Sequence, residues 1–270
     1  MANYKIYSRT EKSKKVSHPV NEDCFFFAEH SFRNDDRTRV LTVADGMGGL
    51  AAGEKASADA VYGFHSAWQK ELLDLYLKKE AGEAASANQA ECLKKAVCEA
   101  VKAANRNVCE QADPYIETGT TLSIVVIASG YAIIANVGDS PVYFCRAGEG
   151  KLELVSELHT RAEQDVEEGL YARYSDRYYA NEHKIYRSLG LKEELTDKDI
   201  FIRVIENVGD GDYFLIGSDG AFGRLKETEI QKIFKENKAG AALEKLFERA
   251  RKDKHDDQTA IFYRVCEEVL

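Results

Sequence analysis

Acidic residues gather at four separated places in this 270-residue chain, and each place adjoins a short apolar run. Asn21-Glu22-Asp23 precedes Cys24-Phe25-Phe26-Phe27, and Asp45-Gly46-Met47-Gly48-Gly49 follows Val40-Leu41-Thr42-Val43-Ala44. Ser218-Asp219-Gly220 follows Tyr213-Phe214-Leu215-Ile216, and Asp256-Asp257-Gln258-Thr259 precedes Ala260-Ile261-Phe262-Tyr263. One Asp-Gly at a strand end is a turn signal, its carboxylate accepting nearby backbone N–H groups. Four together are suited to something more. Carboxylates cost free energy to crowd unless a cation compensates them, so a fold that collects these strand ends is built for a hard, oxygen-preferring ion. The six histidines offer no HExxH or HxxxH pair that would favour zinc.

The elements that must carry these clusters are legible in outline. Residues 3–9, 24–29 and 39–44 read as strands rich in aromatic and β-branched side chains. From Gly53 to about Lys79, the residues Val61, Phe64, Trp68, Leu72 and Leu75 fall on one helical stripe. Asn88 and Glu91 resemble a capping box opening a second helix, with Leu93, Val97, Ala100, Val101, Ala104 and Val108 on its apolar face. Strands at 120–128 and 131–137 flank Ser129-Gly130, a two-residue hairpin turn, and strands at 142–146 and 151–155 flank Gly148-Glu149-Gly150. Residues 156–199 are polar, Tyr-rich and irregular. Strands follow at 201–205, 212–218 and 259–265, with two helices between the last pair. Antiparallel strands with helices in separate blocks define an α+β domain, and helices covering the outer faces of two sheets would make a four-layer sandwich.

In order and wording the four clusters resemble the metal-dependent protein phosphatases, also called protein phosphatase type 2C, over nearly the whole chain. Gly119-Thr120-Thr121, Ala135-Asn136-Val137-Gly138-Asp139-Ser140 and Leu189-Gly190 extend the likeness, and Asp45-Gly46-Met47-Gly48-Gly49 is similar to the bacterial branch. The resemblance implies a four-layer sandwich of two antiparallel sheets flanked by helices, in one domain spanning 1–270 with a flap insert around 156–199. It also implies two Mn²⁺ or Mg²⁺ ions roughly 3.5–4 Å apart, sharing a water that attacks the phosphorus in line. Asp45 would bridge the ions and Gly46 would lend its backbone carbonyl. Asp219 and Asp256 would complete one shell, and Glu22 and Asp23 would hold the second ion directly or through water. Asp45, Asp219 and Asp256 form the expected catalytic group. Asp139 either binds a third ion with Asp219 or caps the Gly138 turn. Asp257, where the family often has Asn, is expected to orient neighbours as a hydrogen-bond acceptor.

Three positions depart from the pattern. His18 stands where many relatives carry an arginine that grips the substrate phosphate, which makes it the candidate substrate-binding residue with a pH-dependent grip. Met47 replaces the histidine that eukaryotic relatives place after the Asp-Gly, and Pro141 replaces a common arginine. In the flap, His159, Arg161, Arg173, Arg177, Asn181, His183 and Arg187 either meet a phosphopeptide or are solvated.

Composition agrees. A hydrophobic fraction of 44% supports one generous core, while a net charge of -9 and a pI near 5.3 argue against a nucleic-acid footprint, and no nucleic-acid partner is expected. The cysteines Cys24, Cys92, Cys98, Cys109, Cys145 and Cys266 have no CxxC spacing and read as buried thiols of a reducing compartment. With no apolar signal core near Met1 and no bilayer-length stretch, a cytoplasmic protein without membrane partners is expected. The expected activity is hydrolysis of serine and threonine phosphomonoesters on proteins, in opposition to a Ser/Thr kinase. The alternatives are a catalytically weak module of the same fold that binds phosphoproteins, and a two-metal phosphodiesterase, disfavoured by the missing histidine ligands.

Overall fold

The computed structural model describes residues 5–14, 19–32, 37–48, 52–81, 89–252 and 255–266. β1 (Lys5–Glu11), β11 (Gln258–Arg264), β10 (Tyr213–Gly217), β7 (Val142–Cys145) and β8 (Leu152–Leu154) form one antiparallel sheet in that order. The second sheet runs β2 (Asp23–Ser31), β3 (Arg37–Gly48), β5 (Leu122–Ala128), β6 (Tyr131–Val137) and β9 (Phe201–Ile205), with β4 (Thr118–Thr120) paired to the end of β3. α1 (Ala52–Glu80) and α2 (Gln89–Gln111) cover the second sheet. α6 (Glu227–Glu236) and α7 (Ala239–Ala250) cover the first, and a one-turn α5 (Asp219–Phe222) leaves the end of β10.

Burial divides into three layers of apolar contact. Phe64, Trp68, Val97 and Val101 pack the helical pair onto Val40, Ile124 and Ile133; Leu41, Val125, Ile134, Phe214, Ile216 and Ile261 fill the space between the sheets; and Leu215 and Phe262 meet Leu246 and Phe247 beneath α6 and α7. The expected four-layer α+β sandwich is therefore the observed architecture. It follows from alternation: in β5 every residue is buried, Ile124 and Val126 towards the helices and Val125 and Ile127 towards the other sheet.

Ser129 (φ 50°) and Gly130 (φ 78°) make the expected hairpin, both left-handed as a type I′ turn requires. The strand expected over 120–128 is interrupted at Thr121, whose side chain is diverted to Asp45. The segment 156–199 is more ordered than its composition suggests. It holds α3 (Arg161–Glu167), capped by the Thr160 hydroxyl accepting the Glu163 N–H, and α4 (Asp176–Asn181), capped likewise by Ser175 accepting from Tyr178. Asn88 lies outside the described residues. All six cysteines are free, but only Cys145 is buried and the others are half-buried.

Candidate metal centre

The hydrogen-bonded register of the β2–β3 ladder sets Asp23 opposite Asp45. The Asp45 backbone is locked from the far side: its N–H donates to Thr121 Oγ1 at 2.9 Å, and its carbonyl accepts the Thr121 N–H at 2.9 Å and the Thr120 hydroxyl at 3.0 Å. Gly46 donates to the Glu22 carbonyl at 3.1 Å. A Cβ on Gly46 would collide with the Gly53 carbonyl and stand 2.7 Å from the Glu22 carbonyl oxygen, and one on Gly53 would stand 2.7 Å from Glu22 Oε1. Glycine is needed here because the end of β3, the first turn of α1 and the Glu22 segment touch backbone to backbone.

The other two clusters arrive from the other sheet. Ser218 precedes α5, of which Asp219 is the first residue, and its hydroxyl donates to Asp23 Oδ2 at 2.7 Å while accepting the Thr259 N–H at 3.0 Å. A Cβ on Gly220 would run into the Asp257 carbonyl and stand 2.9 Å from Asp256 Cβ, so the Asp219 and Asp256 clusters meet at van der Waals range. Asp257 is 4% exposed and spans two segments: Oδ1 accepts the Ser13 N–H at 2.6 Å and Oδ2 the Glu22 N–H at 2.7 Å. That is the orienting role expected of it.

Electrostatics shows how unusual the collection is. Burial, followed by the fields of Asp23, Asp219, Asp139 and Asp256, holds the Asp45 carboxyl well above the ordinary carboxylate range. Burial also raises Asp23 to about 7, with Asp257 and Asp219 adding to the rise against hydrogen bonds from Ser218 and Thr259. Asp23 Oδ1 is buried with no hydrogen-bond partner. An orphaned carboxylate oxygen among acids that raise each other's pKa fits a hard divalent cation in donor chemistry and in sign. Among the described residues, no group of three or more His, Cys, Asp or Glu side chains is set to hold an ion alone. Water and main-chain oxygens would have to complete the shell, as Mg²⁺ favours.

Asp139 is 5% exposed in the turn between β6 and β7, and a cavity of about 80 Å³ beside it is also bordered by Asp219, Arg173, Tyr174 and Tyr178. Three of the four arginines named in the 156–199 segment make ion pairs with nearby carboxylates, and Arg177 is exposed. Arg161 pairs with Asp165 at 2.6 Å, Arg173 with Glu163 at 2.7 Å and Glu227 at 3.7 Å, and Arg187 with Glu157 at 3.9 Å. His18 and Gly49 lie outside the described residues. His65 is a packing residue, buried edge-on against Phe26 and Phe64 and bonded to Thr42 at 3.0 Å. Sequence reasoning missed Ser218 and Thr121 as supports of Asp23 and Asp45. Their positions inside the recognised Ser218-Asp219-Gly220 and Gly119-Thr120-Thr121 runs were the available signal.

A family model described as protein phosphatase 2C matches residues 12–260, and the chain belongs to that family. The serine/threonine phosphatase stp of Listeria monocytogenes is 28% identical over 208 residues, covering 76% of this chain and 75% of its own. Among solved structures, the PPM Ser-Thr phosphatase MsPP of Mycobacterium smegmatis, in complex with cacodylate, superposes with TM-score 0.72 at 24% identity, covering 97% of this chain and 98% of that one. The catalytic domain of the serine threonine protein phosphatase PstP in complex with 2 manganese ions does so with TM-score 0.70 at 23% identity, covering 98% and 99%.

Proposed function

We propose that this protein is a serine/threonine phosphatase that hydrolyses phosphomonoesters on proteins at a Mn²⁺ or Mg²⁺ centre built around Asp45. The observation that supports this reading is that acids from both sheets lie close enough to raise the Asp45 carboxyl, after burial, while the buried Oδ1 of Asp23 has no hydrogen-bond partner. Two divalent ions would supply a Lewis acid for the phosphoryl oxygens and a water ionised near neutral pH. Asp45 would bridge them, with the Gly46 carbonyl, Asp219 and Asp256 around one and Glu22 and Asp23 around the other. Asp139 with Asp219 would hold a third ion beside the small cavity.

The chain's own residues do the positioning. Thr120 and Thr121 fix the Asp45 backbone, the Ser218 hydroxyl donates to Asp23, and Asp257 holds the Glu22 segment, contacts that would orient these residues towards an ion. Phosphorylated proteins are the proposed substrates and a Ser/Thr kinase the proposed opposing enzyme. Residues 1–270 form one catalytic domain in this reading, with 156–199 as its flap. No helix among the described residues is long and apolar enough to cross a membrane; a cytoplasmic location is part of the proposal. The test is release of phosphate from a phosphothreonine peptide and an aryl phosphate, with Mn²⁺, with Mg²⁺ and after chelation. Saturable Mn²⁺ binding without turnover would favour the phosphoprotein-binding alternative.

A further inference from the structure

We propose that His159 is a positioning residue that locks the base of the 156–199 segment to the Gly138-Asp139 turn, so that this segment and the Asp139 carboxylate are held as one piece. The inference rests on reading the Asp45 centre as a metal site.

The geometry is reciprocal. The His159 N–H donates to the Gly138 carbonyl at 3.0 Å, and the Gly138 N–H donates to His159 Nδ1 at 3.0 Å. A backbone N–H can only donate, so Nδ1 is the acceptor and the ring proton sits on Nε2. Nε2 lies 3.5 Å from Glu157 Oε1 and 3.3 Å from Arg187 Nη1. The residue is 0% exposed, and burial with the Arg187 charge lowers its pKa to about 4, so the neutral acceptor form holds at neutral pH. The His159 carbonyl accepts the Tyr186 N–H at 3.0 Å, which brings the far end of the segment to the same residue.

Gly138 is gripped on its other side as well. Its φ is +104°, and a Cβ there would stand 2.6 Å from Thr121 Cγ2. Thr121 Oγ1 accepts the Asp45 N–H and pairs with Ser140 Oγ at 2.7 Å. Asn136 Nδ2 also reaches the Gly138 carbonyl, at 3.2 Å, while Asn136 Oδ1 accepts the Glu157 N–H at 3.2 Å. A continuous set of contacts thus runs from Tyr186 and Arg187 through His159 to Gly138, and on through Thr121 to Asp45. Coupling carried through these contacts would be reciprocal: an ion that stabilises the Asp139 turn would also order the segment, and ordering the segment would tighten the ion.

The test measures Mn²⁺ binding by titration calorimetry and amide hydrogen exchange across 157–187, with and without Mn²⁺. The proteins are wild type, His159→Asn and His159→Leu. Asn Oδ1 can take the place of Nδ1 as acceptor for the Gly138 N–H, whereas Leu fills the space and accepts nothing. Mn²⁺ is expected to slow exchange in 157–187 at least ten-fold in the wild type. His159→Asn should retain most of that protection and Mn²⁺ affinity; His159→Leu should lose the protection and weaken the weakest Mn²⁺ step at least ten-fold. Should His159→Leu not fold, wild type and His159→Asn still decide: Mn²⁺ uptake that leaves wild-type exchange unchanged, or protection lost in His159→Asn, overturns the linkage. Unaltered Mn²⁺ binding in a folded but less stable His159→Leu also overturns it, leaving a purely structural histidine. Absence of any Mn²⁺ uptake by the wild type overturns the metal-site reading itself.

Discussion

Asp23 faces Asp45 directly across the β2–β3 ladder, with no residue between them on either strand. Like charges in that relationship repel, and both carboxyls are raised above their ordinary range, chiefly by burial. The metal-free fold therefore carries a repulsion that a cation would relieve.

The clearest consequence concerns Asp45→Asn. Removing the shared charge should cut turnover at saturating Mn²⁺ by at least about 10³-fold, roughly 4 kcal/mol of transition-state stabilisation. In chelator the same variant should melt higher than wild type, because one of the crowded charges is gone. Steady-state kinetics and paired melting curves check both signs; wild-type turnover in the folded variant would sink the bridging role.

Metal removal should lower the melting temperature of the wild type reversibly. Mn²⁺ at 100 times its Kd should add about 2.7 kcal/mol for each independent ion. Denaturant titration with and without Mn²⁺ measures the gain, and Asp45→Asn should show much less of it.

Asp257 predicts a loss that looks structural and catalytic together. Asp257→Ala would leave the Ser13 and Glu22 N–H groups without their acceptor, costing about 1–3 kcal/mol for each one left buried. Asp257→Asn keeps one acceptor oxygen and should fall between. Unfolding free energy and the apparent Mn²⁺ constant should both move, the latter through displaced Glu22.

For Asp139 the expected separation is between ions. Asp139→Ala should keep the tighter Mn²⁺ binding around Asp45 and depress turnover, most clearly on phosphopeptides. Calorimetry beside kinetics distinguishes this from a turn residue, whose loss would lower thermal stability at normal specific activity.

His65 supplies a pH dependence remote from the metals. Burial, then the charge of His30, lowers its pKa from an ordinary 6.5 to about 4. The unfolded chain therefore takes up a proton that the native state refuses, and stability present above pH 6.5 is lost as pH falls towards 4. At pH 5 the loss should be on the order of 1–2 kcal/mol. His65→Gln should shrink the difference between urea midpoints at pH 7 and pH 5, although His159 adds a loss of the same sign.

Much of the molecule is local enough to be legible in one dimension. The stripe of Phe64, Trp68 and Leu72, the Ser129-Gly130 hairpin and the buried run of β5 depend on spacing and turn chemistry within a few residues, and they lie where those rules put them. The acidic clusters are legible for the same reason, each being a strand end with its own turn. Which acids meet is another matter. It depends on β10 lying between β7 and β11 and on the two sheets packing face to face, contacts between residues some 200 positions apart that no local period encodes. The Ser218 hydroxyl reaching Asp23 and the Asp257 carboxylate holding Glu22 exist only once that order is set. The same holds for Arg161 and Arg173: in sequence they are basic residues in a polar stretch, and only folding sets them on Asp165 and Glu163, acids that the stretch itself supplies. The sequence by itself thus determined the pieces and the kind of ion they suit, and tertiary structure decided their grouping, because charge crowding is a property of distance in space.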